Sequence, residues 1–507
     1  MFIFAYLKEV LMGIVIRQSI KGTLVNYVGA FIGFLTTMFV VTKFLKPEEI
    51  GLTKVIYEVS FLFASLAQLG TSASAMRFFP YFRDPEKNNN GFFFYLLLMP
   101  SVGTVIFLFL YYLFRDPITD FFIHNSSLFV DYYNYAGILI VFLVFWIVFE
   151  TYSNLLMRIV VPKLIREVGV RLMLVAIYFL YAFHYLNLNG FVMAYVFVYG
   201  IALVLTLLYV SRIGTLSLKH DFSFVNKPLR IKILKYTLFL IAGALGGTII
   251  NQLDIFMVSS QMGLSFTGIY TIAFYMAAMI EMPARSMTAI SSPIAAAALK
   301  EGDLAKANEL YKKVSLHQFI AGSTLFLFIW INIDNIFAII PNGTTYEAGK
   351  WVVFFIALSK LVSVTLGFGG TLISFSRYYY WGLYFTFFLT GLTIYTNYLL
   401  IPRLGMTGAA LATFITCLIS YSWQQWIVLK KVKGNPYTFG IVKQTFLIML
   451  LCGFNCFLPD FNNPWGDGIF RSVIVSVFGI VLFYTWNISE EICLMIKNVL
   501  VFRNHNK

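Results

Sequence analysis

Ionisable residues lie inside two apolar stretches that are each long enough to cross a hydrocarbon core. Residues 236–260 contain Asp254, and residues 268–290 contain Glu281 and Arg285. An ionisable group at bilayer depth costs at least a few kcal/mol, so these side chains should face protein or a water-filled cavity rather than lipid. A carboxylate there could carry a coupling proton or cation, or balance a neighbouring base.

Glu281 and Arg285 are four residues apart, which places both on one face of a helix with the acid nearer the N-terminus, the favourable order. Two interpretations of this pair are open. If the pair is structural, removing Arg285 would leave Glu281 as a buried carboxylate without a partner. If Arg285 instead binds a substrate, its guanidinium contacts that substrate directly.

Helix-breaking residues occur in the same two stretches. Glycine weakens a helix and permits bending or close packing, and proline removes one hydrogen bond from the helical ladder. We therefore expect hinges at these positions: Gly243, Gly246, Gly247 and Pro283.

Four further basic residues are candidates to line a cavity together with Arg285: Lys54, Arg17, Lys21 and Arg77. The last three could equally be anchors at the membrane interface. Lys54 precedes Glu58 by four residues, so these two could instead form an ion pair within their own helix. Asp254, Glu281 and Glu58 are the candidates for coupling or charge balance.

The composition is that of a polytopic membrane protein. Of 507 residues, 59% are hydrophobic and 12% are charged, against roughly 25% charged in soluble domains. We predict an all-α fold with about fourteen transmembrane helices. The predicted spans lie near residues 22–44, 51–79, 92–114, 132–155, 168–186, 190–211, 236–260, 268–290, 316–340, 350–373, 380–400, 408–428, 442–459 and 469–487.

Landmark residues recur along the chain at a nearly constant offset. The pairs are Gly51 with Gly268 (217 residues apart), Gly190 with Gly408 (218) and Arg158 with Arg377 (219). A nearly constant offset held over more than a hundred residues predicts two copies of a six-helix unit. Because each copy holds an even number of spans, the copies have the same orientation and form a parallel pseudo-twofold repeat.

This repeat predicts the domain organisation. Residues 1–211 form an N-terminal six-helix lobe that begins with an interfacial helix, the natural start being Met1 or Met12. Residues 212–235 form a basic cytoplasmic linker, and residues 236–428 form the C-terminal six-helix lobe. Residues 429–507 add two further transmembrane helices and an amphipathic cytoplasmic tail.

Basic residues set the predicted topology. The chain has 37 Lys and Arg residues and a formal net charge of +14. Most of these residues fall in segments on the same side as the N-terminus, which the positive-inside rule assigns to the cytoplasm. Both termini are therefore predicted to be cytoplasmic, and the basic charge gives no reason to expect a nucleic-acid partner. Arg285, Lys360 and Arg471 fall within predicted spans, and Lys360 is expected to pack laterally or to snorkel.

Patterns typical of enzymes are missing. The sequence has no GxxxxGK[ST] phosphate loop, no DxD pair, no nucleophile elbow and no spacing typical of a metal site, and its predicted loops are short. We expect no catalytic residue, no metal and no cofactor. Because the sequence lacks enzyme motifs and has the composition of a polytopic membrane protein, we predict that it is a transporter.

Four segments carry a family resemblance: FLKPEEIGL after the first span, LDIFMVSSQMGLSFTGIYTIAFYMAA across spans seven and eight, SSPIAAAALKEGDLAKANELYKKVS after them, and RLGMTGAALATFIT at span twelve. Together they resemble the Wzx-type oligosaccharide and polysaccharide lipid flippases of the MOP (multidrug/oligosaccharidyl-lipid/polysaccharide) exporter superfamily, which also contains the MATE drug exporters. The resemblance covers nearly the whole chain. It implies two six-helix lobes that face each other across a cavity bounded by spans 1, 2, 7 and 8.

The resemblance also implies a function. An isoprenoid-pyrophosphate-linked oligosaccharide would be turned from the inner to the outer leaflet of the bacterial inner membrane by alternating access. Lys and Arg bind pyrophosphate well, so the resemblance makes Arg285 and the other basic candidates the expected binding residues. The product would serve assembly of a surface polysaccharide or of the O-antigen of lipopolysaccharide. The expected partners are this lipid-linked substrate, membrane lipids and the glycan polymerase and glycosyltransferases, and we expect a monomer.

Two alternatives stay open. The first is a cation-coupled multidrug exporter of the same superfamily, although span one lacks the carboxylate that such exporters use there. The second is a flippase for the peptidoglycan lipid precursor.

Overall fold

The computed structural model describes residues 21–494 apart from 23, 85–86, 215, 217, 219–230, 232, 234–235 and 238–251. Every regular element in this part of the chain is helical, which confirms the all-α prediction. Two compact units divide the chain, Met1–Gly268 and Ile269–Lys507.

In the residues that the structure describes, the N-terminal unit contains eleven helices followed by the first turn of a twelfth. They are α1 (Leu24–Phe44), α2 (Pro47–Ala67), α3 (Thr71–Phe82), α4 (Phe92–Leu113), α5 (Arg115–Ile123), α6 (Ser127–Asp131), α7 (Tyr133–Leu155), α8 (Val160–Leu164), α9 (Val170–Ala182), α10 (Leu188–Ile213), α11 (252–262) and α12 (Leu264–Ala278). Two π-helical segments occur, one inside α1 (Thr36–Val41) and one between α8 and α9 (Ile165–Gly169).

Local sequence explains where these helices begin and end. Pro47 opens α2, where its missing N–H is not needed, and the Glu49 carboxylate accepts the backbone N–H of Lys46 at 2.9 Å. The predicted span 51–79 is divided at Gly70, whose φ of 68° lies in the left-handed region that interrupts a helix.

A pair of buried tyrosines fastens α4 to α7 in the core of the N-terminal unit. The rings of Tyr111 and Tyr133 stack with centroids 4.2 Å apart. Each hydroxyl donates to the backbone carbonyl of the other residue, at 2.9 Å from Tyr111 and at 2.6 Å from Tyr133. Burial of two aromatic rings with both hydroxyls satisfied explains this packing, because an unpaired hydroxyl in the core would be costly.

The two glycines that begin the repeat meet opposing backbone. A Cβ on Gly51 would overlap the carbonyl oxygen of Leu264, and a Cβ on Gly268 would overlap the carbonyl oxygen of Pro47. Leu264 begins α12 and Pro47 begins α2, and these two residues are also 217 positions apart. The contact of Gly51 with Leu264 and the contact of Gly268 with Pro47 therefore lie at equivalent positions of the two copies, which supports the parallel repeat predicted from the sequence.

We expect Gly51→Ala and Gly268→Ala each to destabilise the purified protein, because the added methyl group meets rigid backbone rather than a flexible side chain. Overpacking of this kind costs about 1–3 kcal/mol, which a lower unfolding temperature in detergent would report. Gly391→Ala is the matched control, since a Cβ there has no atom within 4 Å. Equal unfolding temperatures for Gly51→Ala and Gly391→Ala would contradict the close contact.

In its described part, the C-terminal unit contains the rest of α12 and a series of further helices. These are α13 (Met282–Glu301), α14 (Leu304–Ile331), α15 (Ile333–Ile339), α16 (Gly343–Tyr346), α17 (Lys350–Leu366), α18 (Phe368–Phe375), α19 (Trp381–Ile427), α20 (Phe439–Asn455) and α21 (Pro464–Thr485). A 3₁₀ turn (Met279–Glu281) separates α12 from α13, and Pro283 stands in the first turn of α13. The predicted interruption at Pro283 is therefore present as a local break, whereas Gly243, Gly246 and Gly247 lie outside the described residues.

Ten helices in the described part of the chain are long and apolar enough to cross a membrane. The protein is thus a multi-pass membrane protein, and the count of about fourteen stays a prediction. Four of the fourteen predicted spans do not appear as separate long apolar helices, for the following reasons. Predicted span seven lies mostly outside the described residues, α9 and α20 are shorter than a full span, and predicted spans eleven and twelve are joined in one element that is non-helical at Gly405.

The two compact units divide at residue 268, whereas the sequence analysis placed the division in the linker 212–235. Helix α11 groups with the N-terminal unit because side chains before α6 bind its last turn. The Asn125 amide donates to the Ser260 carbonyl at 2.8 Å, and the Ser126 hydroxyl donates to the Ser259 carbonyl at 2.5 Å. Most of the predicted linker, the interfacial helix 1–21 except its last residue, and the tail beyond residue 494 lie outside the described residues.

Candidate functional site

A cavity of about 500 Å³ opens within the C-terminal unit. Its lining comes from the start of α13, from α14, from the junction of α17 with α18, and from α19. The lining residues are Glu281, Ala284, Arg285, Thr288, Ala289, Gln318, Ser363, Val364, Gly367, Phe368 and Tyr421. Small, apolar and hydroxyl-bearing side chains thus surround one acid and one base.

The Glu281 carboxylate is shared between two bases from different helices. Its Oε1 lies 3.1 Å from Nζ of Lys360 in α17, and its Oε2 lies 3.5 Å from Nη2 of Arg285 in α13. The Lys360 ammonium also lies 5.2 Å from the centroid of the Phe274 ring, a cation–π distance. The cluster of Glu281, Arg285 and Lys360 therefore carries one net positive charge.

Arg285 is the exposed member of this cluster. Its side chain is 74% exposed, compared with 21% for Glu281 and 20% for Lys360. A guanidinium has five N–H donors, and among the described residues the one acid that Arg285 contacts is Glu281, at the long distance of 3.5 Å. The guanidinium therefore presents charge and donors to the cavity.

Hydrogen bonds between polar side chains connect the helices around the cluster. The Gln318 amide in α14 donates to the Ala284 carbonyl at 3.1 Å and to the Thr288 hydroxyl at 2.8 Å. The hydroxyls of Ser363 and Tyr421 are 3.2 Å apart across α17 and α19. The hydrogen bonds of Gln318 fix the start of α13, and with it Arg285, against α14, and the Ser363–Tyr421 hydrogen bond joins α17 to α19.

The other predicted cations lie in the N-terminal unit. Lys54 forms an ion pair with Glu58 within α2, as one of the two interpretations anticipated. The guanidinium of Arg77 lies 4.1 Å from the centroid of the Tyr236 ring and 5.8 Å from that of Phe78.

Three predicted site residues remain. Lys21 is exposed at the start of the described chain, and Arg17 lies outside it. Asp254 is 9% exposed within α11 of the N-terminal unit. Neither Lys21 nor Asp254 is among the residues that line the cavity described above.

Lys360, predicted to pack laterally or to snorkel, forms the shorter of the two ion pairs with Glu281. A lone lysine in an apolar stretch is a visible signal of a buried partner. Its partner lies 79 positions earlier, and only the packing of α17 against the turn before α13 identifies it.

A second group of charges connects α7 to the segment around α8 in the N-terminal unit. Glu150 accepts two hydrogen bonds from Nη1 of Arg166, at 2.7 and 3.0 Å, as expected for a polar residue that needs a partner between helices. Arg166 and Arg171 also pair with Glu167, at 3.2 and 3.3 Å. Burial and the nearby guanidinium of Arg166 lower the pKa of Lys163 below its ordinary value. Every acid here has a base, so this group is a structural network.

Among the described residues, no three His, Cys, Asp or Glu side chains cluster in a way that could hold a metal ion. The side chains that line the cavity are suited to charge-assisted binding. A cavity with one exposed guanidinium and a net positive charge suits an anion with several oxygen acceptors.

The helical architecture is similar in fold to solved transporters of the MOP superfamily. Residues 15–299, more than half of the chain, match the family model described as "Polysaccharide biosynthesis protein". The chain belongs to this family, which confirms the resemblance found in the sequence.

Solved structures with the same fold include a flippase and drug transporters. The lipid II flippase MurJ, in an inward closed conformation, has a TM-score of 0.72 at 13% identity and covers 93% of this chain and 100% of its own. A MATE family multidrug resistance transporter in an inward-facing conformation has a TM-score of 0.58 at 15% identity, covering 80% and 95%. An outward-facing MATE structure has a TM-score of 0.52 at 16% identity, covering 83% and 96%. No curated protein matches the chain in sequence.

Proposed function

We propose that this protein flips an isoprenoid-pyrophosphate-linked oligosaccharide from the inner to the outer leaflet of the bacterial inner membrane by alternating access. The glycan would then enter a surface polysaccharide or the O-antigen of lipopolysaccharide. The observation that carries the proposal is Arg285, whose exposed guanidinium borders a cavity in a chain of the polysaccharide biosynthesis family. A pyrophosphate offers several oxygen acceptors at close spacing, which a guanidinium can bind in a bidentate manner.

The charge of the cavity favours an anionic cargo over a cationic drug. A cationic drug would require a carboxylate that is free to pair with it. In this cavity the one lining carboxylate, Glu281, already lies between two bases in the described structure. The multidrug exporter is therefore the weaker alternative.

A flippase for the peptidoglycan precursor is the second candidate. The observation that favours it is the match to the lipid II flippase over 93% of the chain, with a higher TM-score than the two MATE structures. The pyrophosphate chemistry is shared, so Arg285 would serve both cargoes. The match to the polysaccharide family makes the surface-glycan cargo our first choice.

The remaining assignments follow from this function. The proposed organisation is two six-helix lobes (1–211 and 236–428), the linker 212–235, and two further helices with a tail in 429–507, with both termini cytoplasmic. Lys54, Arg17, Lys21 and Arg77 are proposed as additional cations along the path, and Asp254, Glu281 and Glu58 as groups for coupling or charge balance. Transport would proceed without catalysis, metal or cofactor in a monomer. The glycan would come from glycosyltransferases and pass to a polymerase.

Deletion of the gene in its host should remove or shorten a surface glycan, cause lipid-linked oligosaccharide to accumulate on the inner leaflet, and leave sensitivity to cationic dyes unchanged. Glycan staining, extraction of lipid-linked intermediates and dye sensitivity measure these outcomes. Glycan units found outside but unjoined would indicate a polymerase. Loss of dye resistance with a normal glycan would indicate the drug exporter, and arrest of cell-wall synthesis would indicate the peptidoglycan flippase.

A further inference from the structure

We infer that Lys360 is a positioning residue, which keeps Arg285 available to the anion by holding Glu281. This inference rests on the proposed function, in which Arg285 binds the pyrophosphate. Lys360 itself is not one of the residues that line the cavity. It acts through a carboxylate that it shares with Arg285.

The two ion pairs of Glu281 are unequal. The Lys360 ammonium lies 3.1 Å from one carboxylate oxygen, whereas the Arg285 guanidinium lies 3.5 Å from the other. Lys360 and Glu281 are about equally buried, and the Phe274 ring at 5.2 Å provides a further contact for the ammonium. The closer and more buried partner therefore binds Glu281, and the contact with Arg285 is the one that substrate can replace.

Lys360 changes the net charge of the cluster that an anion meets. Glu281 and Arg285 alone would form a neutral pair with no net attraction for an anion. An anion that took Arg285 from such a pair would leave the carboxylate without a partner in a partly buried site, which is costly. With Lys360 present, Glu281 stays paired when the anion binds, and the cluster presents one uncompensated positive charge.

This arrangement predicts a specific pattern of substitutions. Lys360→Met should weaken anion binding, because Glu281 then pairs with Arg285 alone. Adding Glu281→Gln to Lys360→Met should restore binding, because Arg285 again has no competing carboxylate. Lys360→Arg keeps the charge and should bind almost as the wild type does. A lysine needed only for folding would not be rescued by removal of the carboxylate.

The experiment measures binding of farnesyl-pyrophosphoryl-N-acetylglucosamine, a short-chain disubstituted pyrophosphate, to the purified full-length protein in detergent. The expected Kd of Lys360→Met is about tenfold to about 100-fold higher than that of the wild type, the range of one charge-assisted hydrogen bond. The Kd of the Lys360→Met, Glu281→Gln double variant should return to within about threefold of the wild type. Unfolding temperatures of all variants report whether each has folded.

The outcomes separate the inference from the proposed site. Loss of binding in Arg285→Gln with unchanged binding in Lys360→Met would overturn the role of Lys360 and leave the site standing. Unchanged binding in Arg285→Gln would overturn the site, and the role of Lys360 with it. A folded double variant that binds as weakly as Lys360→Met would also overturn the inference, because the lysine would then act other than through Glu281.

Discussion

Arg285→Gln is expected to reduce surface-glycan export at least about tenfold at an unchanged level of protein in the membrane. Each charge-assisted hydrogen bond contributes about 1.5–3 kcal/mol, which corresponds to roughly 10-fold to 150-fold in affinity. The glutamine side chain keeps much of the length but loses the charge and the fork of donors. Arg285→Lys should retain part of the export, because an ammonium attracts phosphate as a point charge without bidentate geometry. Glycan staining of cells that express each variant measures the effect, with immunoblots of the membrane fraction as the control.

The double variant Arg285→Gln, Glu281→Gln tests whether the pair is only structural. The expectation that Arg285→Gln would leave Glu281 without a partner does not hold, because Lys360 stays 3.1 Å from the carboxylate. Relief of an unpaired acid therefore cannot explain a rescue. We expect the double variant to remain inactive, since the cavity lining then lacks its guanidinium. Full export by this variant would refute the role of Arg285 in binding the anion.

Arg285 and Arg471 each follow an acid by four residues, and their roles differ. Glu281 precedes Arg285, and Asp467 precedes Arg471. Helical spacing predicted a contact within the first pair, and both pairs are present in the structure. The spacing could not tell a cavity-facing arginine from a buried one. That difference depends on groups contributed by other helices and loops, which one helix's sequence does not contain.

The repeat shows what the sequence can predict well. Gly51 and Gly268 were paired by their offset alone, and in the structure each is a site where backbone meets backbone. Glycine is required at such a contact because any Cβ would overlap a carbonyl group, so the requirement appears directly in the sequence. Helix ends were harder to predict. Spans such as 51–79 and 350–373 are interrupted at Gly70 and Gly367, since a glycine in an apolar run can either continue a helix or break it.

Arg471→Gln should destabilise the protein by about 3–5 kcal/mol, the cost of breaking a buried ion pair. The Arg471 side chain is 7% exposed and the Asp467 side chain is 6% exposed. Nε of Arg471 donates to Asp467 at 2.6 Å, and its Nη1 donates to the Asn455 side chain at 2.9 Å. Its Nη2 contacts Asp460 and the Pro459 carbonyl. This one guanidinium thus ties the turn between α20 and α21 to the start of α21.

The hydrogen bonds around Arg471 and Asp467 extend to a third helix, α15. The loss of stability in Arg471→Gln should therefore be larger than that from breaking an isolated ion pair. The Asn335 amide in α15 donates to Asp467 at 2.6 Å, and the Phe461 backbone N–H donates to the same carboxylate at 3.1 Å. Without Arg471, a buried carboxylate would keep two neutral donors but lose its charged partner. The unfolding temperature of purified Arg471→Gln in detergent should therefore fall clearly below that of the wild type.

Arg285→Gln is the matched comparison, because it makes the same substitution four residues after an acid in the same compact unit. Its side chain is 74% exposed and its one described ion pair is long, so its unfolding temperature should stay close to that of the wild type while export is lost. Arg471→Gln should show the opposite pattern, with a lower unfolding temperature and export reduced only as far as less folded protein reaches the membrane. If both variants unfold at the wild-type temperature, then burial and hydrogen bonding do not distinguish the two arginines, and the structural role of Arg471 is refuted.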